Sequence, residues 1–137
     1  MRERLFTSDE VNALIPTLER LVRRVQECGA DLRRLVIEAR SCGDAEASMP
    51  LAEMLRSRPD AVAAADTLQD LLREVAATGG QFKGIDLGLV DFPAEIGGER
   101  VLLCWQYGES EVCFYHSAAD GFAGRKPLQT SRPRFLQ

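Results

Sequence analysis

An unbroken alternation of three and four separates the apolar residues Val11, Leu14, Leu18, Leu21, Val25, Cys28, Leu32, Leu35 and Ala39. That spacing holds every one of these side chains on one face of a long α-helix. Ile15, Val22, Gly29 and Val36 widen the stripe. Three apolar positions per heptad exceed what one partner helix needs, so this helix is expected to pack on two neighbours. Its start is marked by TSDE, where Thr7 and Glu10 form a T-x-x-E capping box that supplies acceptors for free amides. Pro16 lies inside the pattern and lacks an amide donor. It predicts a kink or break near Leu14, with the main helix running from Pro16 to about Arg40. Cys42-Gly43 closes the segment.

A second helix follows SRPD, with Pro59 in its first turn behind Ser57. Ala61, Ala65, Leu68, Leu72 and Val75 repeat the spacing until Gly79-Gly80. The stretch between is a small-residue connector with room for at most two helical turns after Pro50. Residues 7–79 therefore read as a long antiparallel helical hairpin. A straight helix over residues 8 to 41 would reach about 51 Å, whereas a compact domain of this length is about 37 Å across. Even the part after Pro16, about 39 Å long, overhangs a partner of about 30 Å. An apolar overhang needs cover from the sheet or from a second copy, so a homodimer through the helices is expected.

Beyond Gly84 the helical period gives way to IDLGLVDFPA, IGGE, RVLLCWQY, GES and EVCFYHS, which reads as a three-stranded antiparallel meander over residues 85–117. The fold class is α+β, the hairpin packed on this small sheet. A two-residue Gly97-Gly98 turn pairs Ala94 with Val101, Phe92 with Leu103 and Val90 with Trp105, and sets Asp91 opposite Cys104. A Gly108-Glu109 turn would pair Trp105 with Val112 and Leu103 with Phe114. A register shifted by one would instead turn Cys113 and Glu111 to the Trp105 face. The first register collects Val90, Phe92, Ala94, Val101, Leu103, Trp105, Val112 and Phe114 on one apolar face, and that sorting favours it. It also puts His116 on the apolar face beside Val101, and leaves Asp91, Cys104, Gln106, Glu111, Cys113 and Tyr115 on the other.

With 137 residues, the chain suits a single domain over 1–137, whose last part, 118–137, is a glycine turn and basic tail. No apolar run approaches a membrane span, and MRERLFTSDE lacks a signal core, so a cytoplasmic protein is expected. The four cysteines show no CxxC spacing, and Cys28 and Cys42 would lie about 21 Å apart along one helix, so no disulfide framework is expected. A net charge of -4 argues against nucleic acid. The exception is the tail, where Arg125, Lys126, Arg132 and Arg134 stand without an acid.

The chemistry centres on FYHSAADGFAGR, residues 114 to 125, which hold the chain's single histidine. Gly121 and Gly124 free the backbone to expose amides, and Arg125 offers a planar fork, an arrangement suited to a carboxylate or phosphate. His116 would exchange a proton near neutral pH with Asp120 as its orienter. Trp105 and Asp91 complete the candidate binding set of His116, Arg125, Trp105, Asp91 and Asp120 for a small anionic ligand. Each has a plain structural alternative, such as a packed histidine, an internal ion pair or an Asp-Gly turn. A Cys-Cys-His metal site is not expected, because the favoured register sends His116 and the two sheet cysteines to opposite faces. No metal and no cofactor are expected. GxSxG, P-loop, HExxH and dinucleotide motifs are missing, and Ser117 cannot serve His116 as a nucleophile because strand neighbours point apart. A non-enzymatic dimeric interaction or regulatory module is the leading expectation, and an anion binder or enzyme using His116 and Arg125 the alternative.

The segments LFTSDEVNALIPTL, GLVDFPA, LCW, Gly108-Glu109, His116 and GFAGR together resemble the bacterial family called domain of unknown function 2203, over nearly the whole chain. The resemblance implies a small cytoplasmic protein with a long helical hairpin and a small sheet, and implies no reaction, cofactor or substrate. Family members often carry Trp directly before the histidine, where this chain has Tyr115.

Overall fold

A computed structural model describes residues 3–41 and 50–128. Helix α1 spans Ser8–Ser41, α2 Leu51–Arg56 and α3 Pro59–Ala77. The capping box forms as the sequence suggests. The Glu10 amide donates to Thr7 Oγ1 at 3.1 Å and the Thr7 amide to Glu10 Oε1 at 2.8 Å. The Thr7 amide, then the Arg4 side chain, hold the Glu10 carboxyl below its ordinary range.

Of the kink or break expected near Leu14, the break does not occur, and α1 runs through Pro16 without interruption. Val11, Ile15, Leu18, Leu21, Val22 and Val25 are all buried on both sides of the proline. The lost amide bond and the ring clash cost about 3 kcal/mol, while each buried Val, Leu or Ile contributes about 1.5–3 kcal/mol. Packing therefore outweighs the local defect. Helix α3 packs along α1, and the thiol of Cys28 donates to Ala64 O at 3.1 Å between them. Helix α2 touches both long helices, and its Met54 is fully buried. Leu35 and Ala39 near the end of α1 are buried too, so part of the overhang has cover within the chain.

The sheet has five strands rather than three: β1 Gln81–Gly84, β2 Leu89–Ile96, β3 Glu99–Gln106, β4 Phe114–His116 and β5 Lys126–Pro127. They lie in sequence order, and each pairs antiparallel with the next. The two additional edge strands are short, and neither carries the four or more alternating residues that make a strand legible. Strands β2 and β3 pair as the Gly97-Gly98 turn requires, with Val90 opposite Trp105, Phe92 opposite Leu103 and Asp91 opposite Cys104. Both turn glycines have positive φ, 60° and 81°, as a type I′ hairpin demands.

The second register differs from expectation by one residue. Leu102 faces His116, Leu103 faces Tyr115 and Cys104 faces Phe114. The cause lies in the connection. The Glu109 amide donates to Gln106 O, so the turn is centred on Tyr107-Gly108, with Gly108 at φ 102°. Trp105 Nε1 then donates to Glu109 O at 3.0 Å, and Asn12 Oδ1 on α1 accepts the Val112 amide at 2.7 Å. These bonds hold residues 109 to 113 out of the ladder while still burying Val112 in the core. The strand resumes one residue out of phase. Tyr115 turns toward the core, and Phe114 and His116 turn to the outer face, because a one-residue slip reverses every side chain.

The core thus lies between the helices and the inner sheet face. Val90, Phe92, Ala94, Val101, Leu103 and Trp105 meet Phe6, Val11, Leu18, Val22, Leu71 and Val75 there. On the outer face, a single helical turn at Phe122–Gly124 precedes β5.

Candidate metal centre

The register correction assembles a site. Asp91 from the middle of β2, Cys104 from β3 and His116 from the end of β4 project from the same outer face, and their ligand-capable atoms all lie within 4.8 Å of one another. All three are buried, at 2%, 1% and 4% exposure. The ground for expecting no metal here, a histidine facing away from the cysteine, is removed.

The hydrogen bonds of His116 define its state. Nδ1 lies 2.7 Å from the Ser117 carbonyl oxygen, which can only accept, so Nδ1 carries a hydrogen. Nε2 lies 3.0 Å from Asp91 Oδ2. In the neutral ring that nitrogen presents a lone pair to a carboxylate, so the contact requires either a second proton or a cation. The Ser117 carbonyl thus orients the imidazole and leaves Nε2 turned toward Asp91. Asp91 Oδ1 is buried and accepts no well-formed nitrogen or hydroxyl hydrogen bond among the described residues, and the Cys104 thiol is the donor that faces the carboxylate. A carboxylate oxygen in that position is costly unless a donor or a positive group meets it. Burial, and after it the Asp91 carboxylate, pushes the Cys104 thiol up to about 12.

A cavity of about 240 Å³ opens on the site, lined by all three residues and by Lys83, Leu102, Gly121 and Phe122. Phe122 of that lining is packed by Arg125. The guanidinium donates to both oxygens of Glu109, at 3.2 and 3.0 Å, and to the Cys104 carbonyl at 3.3 Å. It also stacks between the rings of Phe114 and Phe122, 4.1 and 4.9 Å from their centroids. Glu109 accepts the Gln106 amide as well, at 2.7 Å, which ties the loop to the end of β3.

The residues expected to bind an anion are thus separated by their partners. His116 is engaged with Asp91 and Ser117, and Arg125 with Glu109. Asp120 does not orient His116. It is exposed, and its amide donates to Ser117 Oγ at 3.1 Å. Trp105 is fully buried in the core on the opposite sheet face from Asp91. Arg132 and Arg134 of the expected basic tail, and Cys42 at the expected helix end, lie outside the described residues. Sequence reasoning missed Cys104 as a site residue, Glu109 as the anchor of Arg125, and Lys83 altogether. The first two follow from the register, while Lys83 sits in QFKG, too short to be read as a strand.

No helix among the described residues is long and apolar enough to cross a membrane. No curated protein and no solved structure matches the chain. The model of one family, described as "Uncharacterized conserved protein (DUF2203)", matches residues 4–128, and the chain belongs to that family.

Proposed function

We propose that the chain is a metal-binding protein that holds a divalent transition ion between Asp91, Cys104 and His116. The observation that carries the reading is the buried outer-face cluster itself, in which a carboxylate, a thiol and an imidazole bring their ligand-capable atoms within 4.8 Å of one another beside a cavity. Tetrahedral zinc with bonds of about 2.0–2.3 Å separates its ligand atoms by about 3.3–3.6 Å. The cluster, with its shortest contact at 3.0 Å and its atoms within 4.8 Å, needs side-chain adjustments of about 1 Å to reach that geometry. Imidazole and thiolate favour zinc over magnesium or calcium, which prefer oxygen alone. The reading assigns binding and no reaction, in keeping with a regulatory or structural module.

The test is metal content. Full-length protein loaded with zinc and desalted should carry close to one zinc per chain by plasma mass spectrometry, and the Cys104→Ser protein should carry far less. Equal zinc in both, or none in either, would overturn the reading.

Assembly admits a second reading, a homodimer through an antiparallel hairpin of α1 and α3. Its support is the exposure of Ile37 on α1, 61%, and Val62 on α3, 38%. Light scattering should then give twice the 15.2 kDa of one chain, and a monomer at micromolar concentration would refute it.

A further inference from the structure

We infer that the metal's fourth coordination position takes a small oxygen-donor monoanion of the carboxylate class, drawn in by Lys83; this rests on the metal reading above. Among the described residues, the group of potential ligands has three members, whereas zinc and similar ions take a fourth donor. Three protein ligands with an open position are the arrangement of sites that bind water or an exchangeable ligand. All three side chains line the same cavity, so an ion held between them faces it rather than the protein interior.

The lining then selects the ligand. Asp91 as carboxylate and Cys104 as thiolate together balance the two charges of the ion, which leaves the metal complex neutral. Lys83 is the only cationic residue lining the cavity, and it has no ion-pair or hydrogen-bond partner among the described residues. With the ion in place the cavity carries a single positive charge, which one negative charge completes. Leu89, Leu102, Ala118 and Phe122 make the remaining wall largely apolar. A volume of about 240 Å³ falls below the roughly 300–1,000 Å³ of pockets for drug-sized ligands. A carboxylate with a short hydrocarbon part fits all three conditions: an oxygen for the metal, a charge for Lys83 and a few carbons for the apolar wall.

The experiment uses full-length protein loaded with Co²⁺, whose visible spectrum reports both the thiolate bond and the coordination around the ion. Acetate, and propionate in parallel, are titrated at constant ionic strength. A saturable change in the ligand-field bands with the thiolate-to-cobalt absorption retained is the expected result. Lys83→Gln should weaken the apparent acetate affinity about tenfold while leaving the thiolate absorption in place. If cobalt binds with its thiolate absorption and neither anion alters the ligand-field bands, the fourth position is closed and this inference fails while the metal reading stands. If acetate strips the cobalt, or acts equally on Lys83→Gln, the inference also fails. If no thiolate-to-cobalt absorption forms at all, the metal reading fails and takes this one with it.

Discussion

The proton economy of the site makes its metal affinity depend on pH in a calculable way. A metal binds Cys104 as thiolate, and in the free protein the thiol is pushed up to about 12, chiefly by burial. The thiol therefore keeps its proton throughout the neutral range, and each ion that binds must expel it. Because protonation competes with the metal, affinity rises with pH, about tenfold per unit for one released proton. Between about pH 6 and about pH 8 the zinc affinity should therefore rise by about 100-fold for the one thiol proton. Competition against a chelator of known affinity measures the slope, and calorimetry in two buffers of different ionisation heat counts the protons directly. Cys104→Ser should bind more weakly and release one proton fewer. A flat affinity across this range, or an unchanged proton count in Cys104→Ser, would refute the reasoning.

Three further outcomes concern the frame that positions the site. Thr7→Ala removes the capping acceptor of the Glu10 amide and should cost about 1 kcal/mol in chemical denaturation, with the denaturant slope unchanged. Gly79→Ala should cost more, at least about 1 kcal/mol, because Gly79 has φ 98° and an added Cβ would stand 2.4 Å from Phe6 Cζ in the core. Glu109→Gln breaks the pair that holds Arg125 over the outer face and leaves a half-buried guanidinium without its charge partner. A loss of about 1–3 kcal/mol is expected, and a melting temperature equal to that of the parent would contradict it.

Most of the inner architecture could be read from the residues. The heptad spacing of Val11 to Ala39 found α1, TSDE found its start, and Gly97-Gly98 fixed the β2–β3 register, since local chemistry decides each of these. Pro16 does not end the helix, because the core contacts of Ile15 and Leu18 on either side outweigh its local propensity. The site was missed for a related reason. Gly108-Glu109 looked like a two-residue turn, but the turn residue pair is Tyr107-Gly108, and the path beyond it depends on Asn12, a hundred positions away, holding the Val112 amide. Val112 stays buried from a loop, and Tyr115 takes the inner place assigned to Phe114, so apolar sorting alone could not separate the two registers. That single residue of phase decided whether His116 faced the core or joined Asp91 and Cys104.

The central claim, that these three side chains hold one metal ion, is met most directly by X-ray absorption at the zinc edge of the zinc-loaded protein. The first shell should contain a single sulfur at about 2.3 Å with nitrogen and oxygen at about 2.0–2.2 Å, and the sulfur should vanish in Cys104→Ser. A shell of nitrogen and oxygen alone in the parent protein, or one that keeps its sulfur after that substitution, would contradict the assignment.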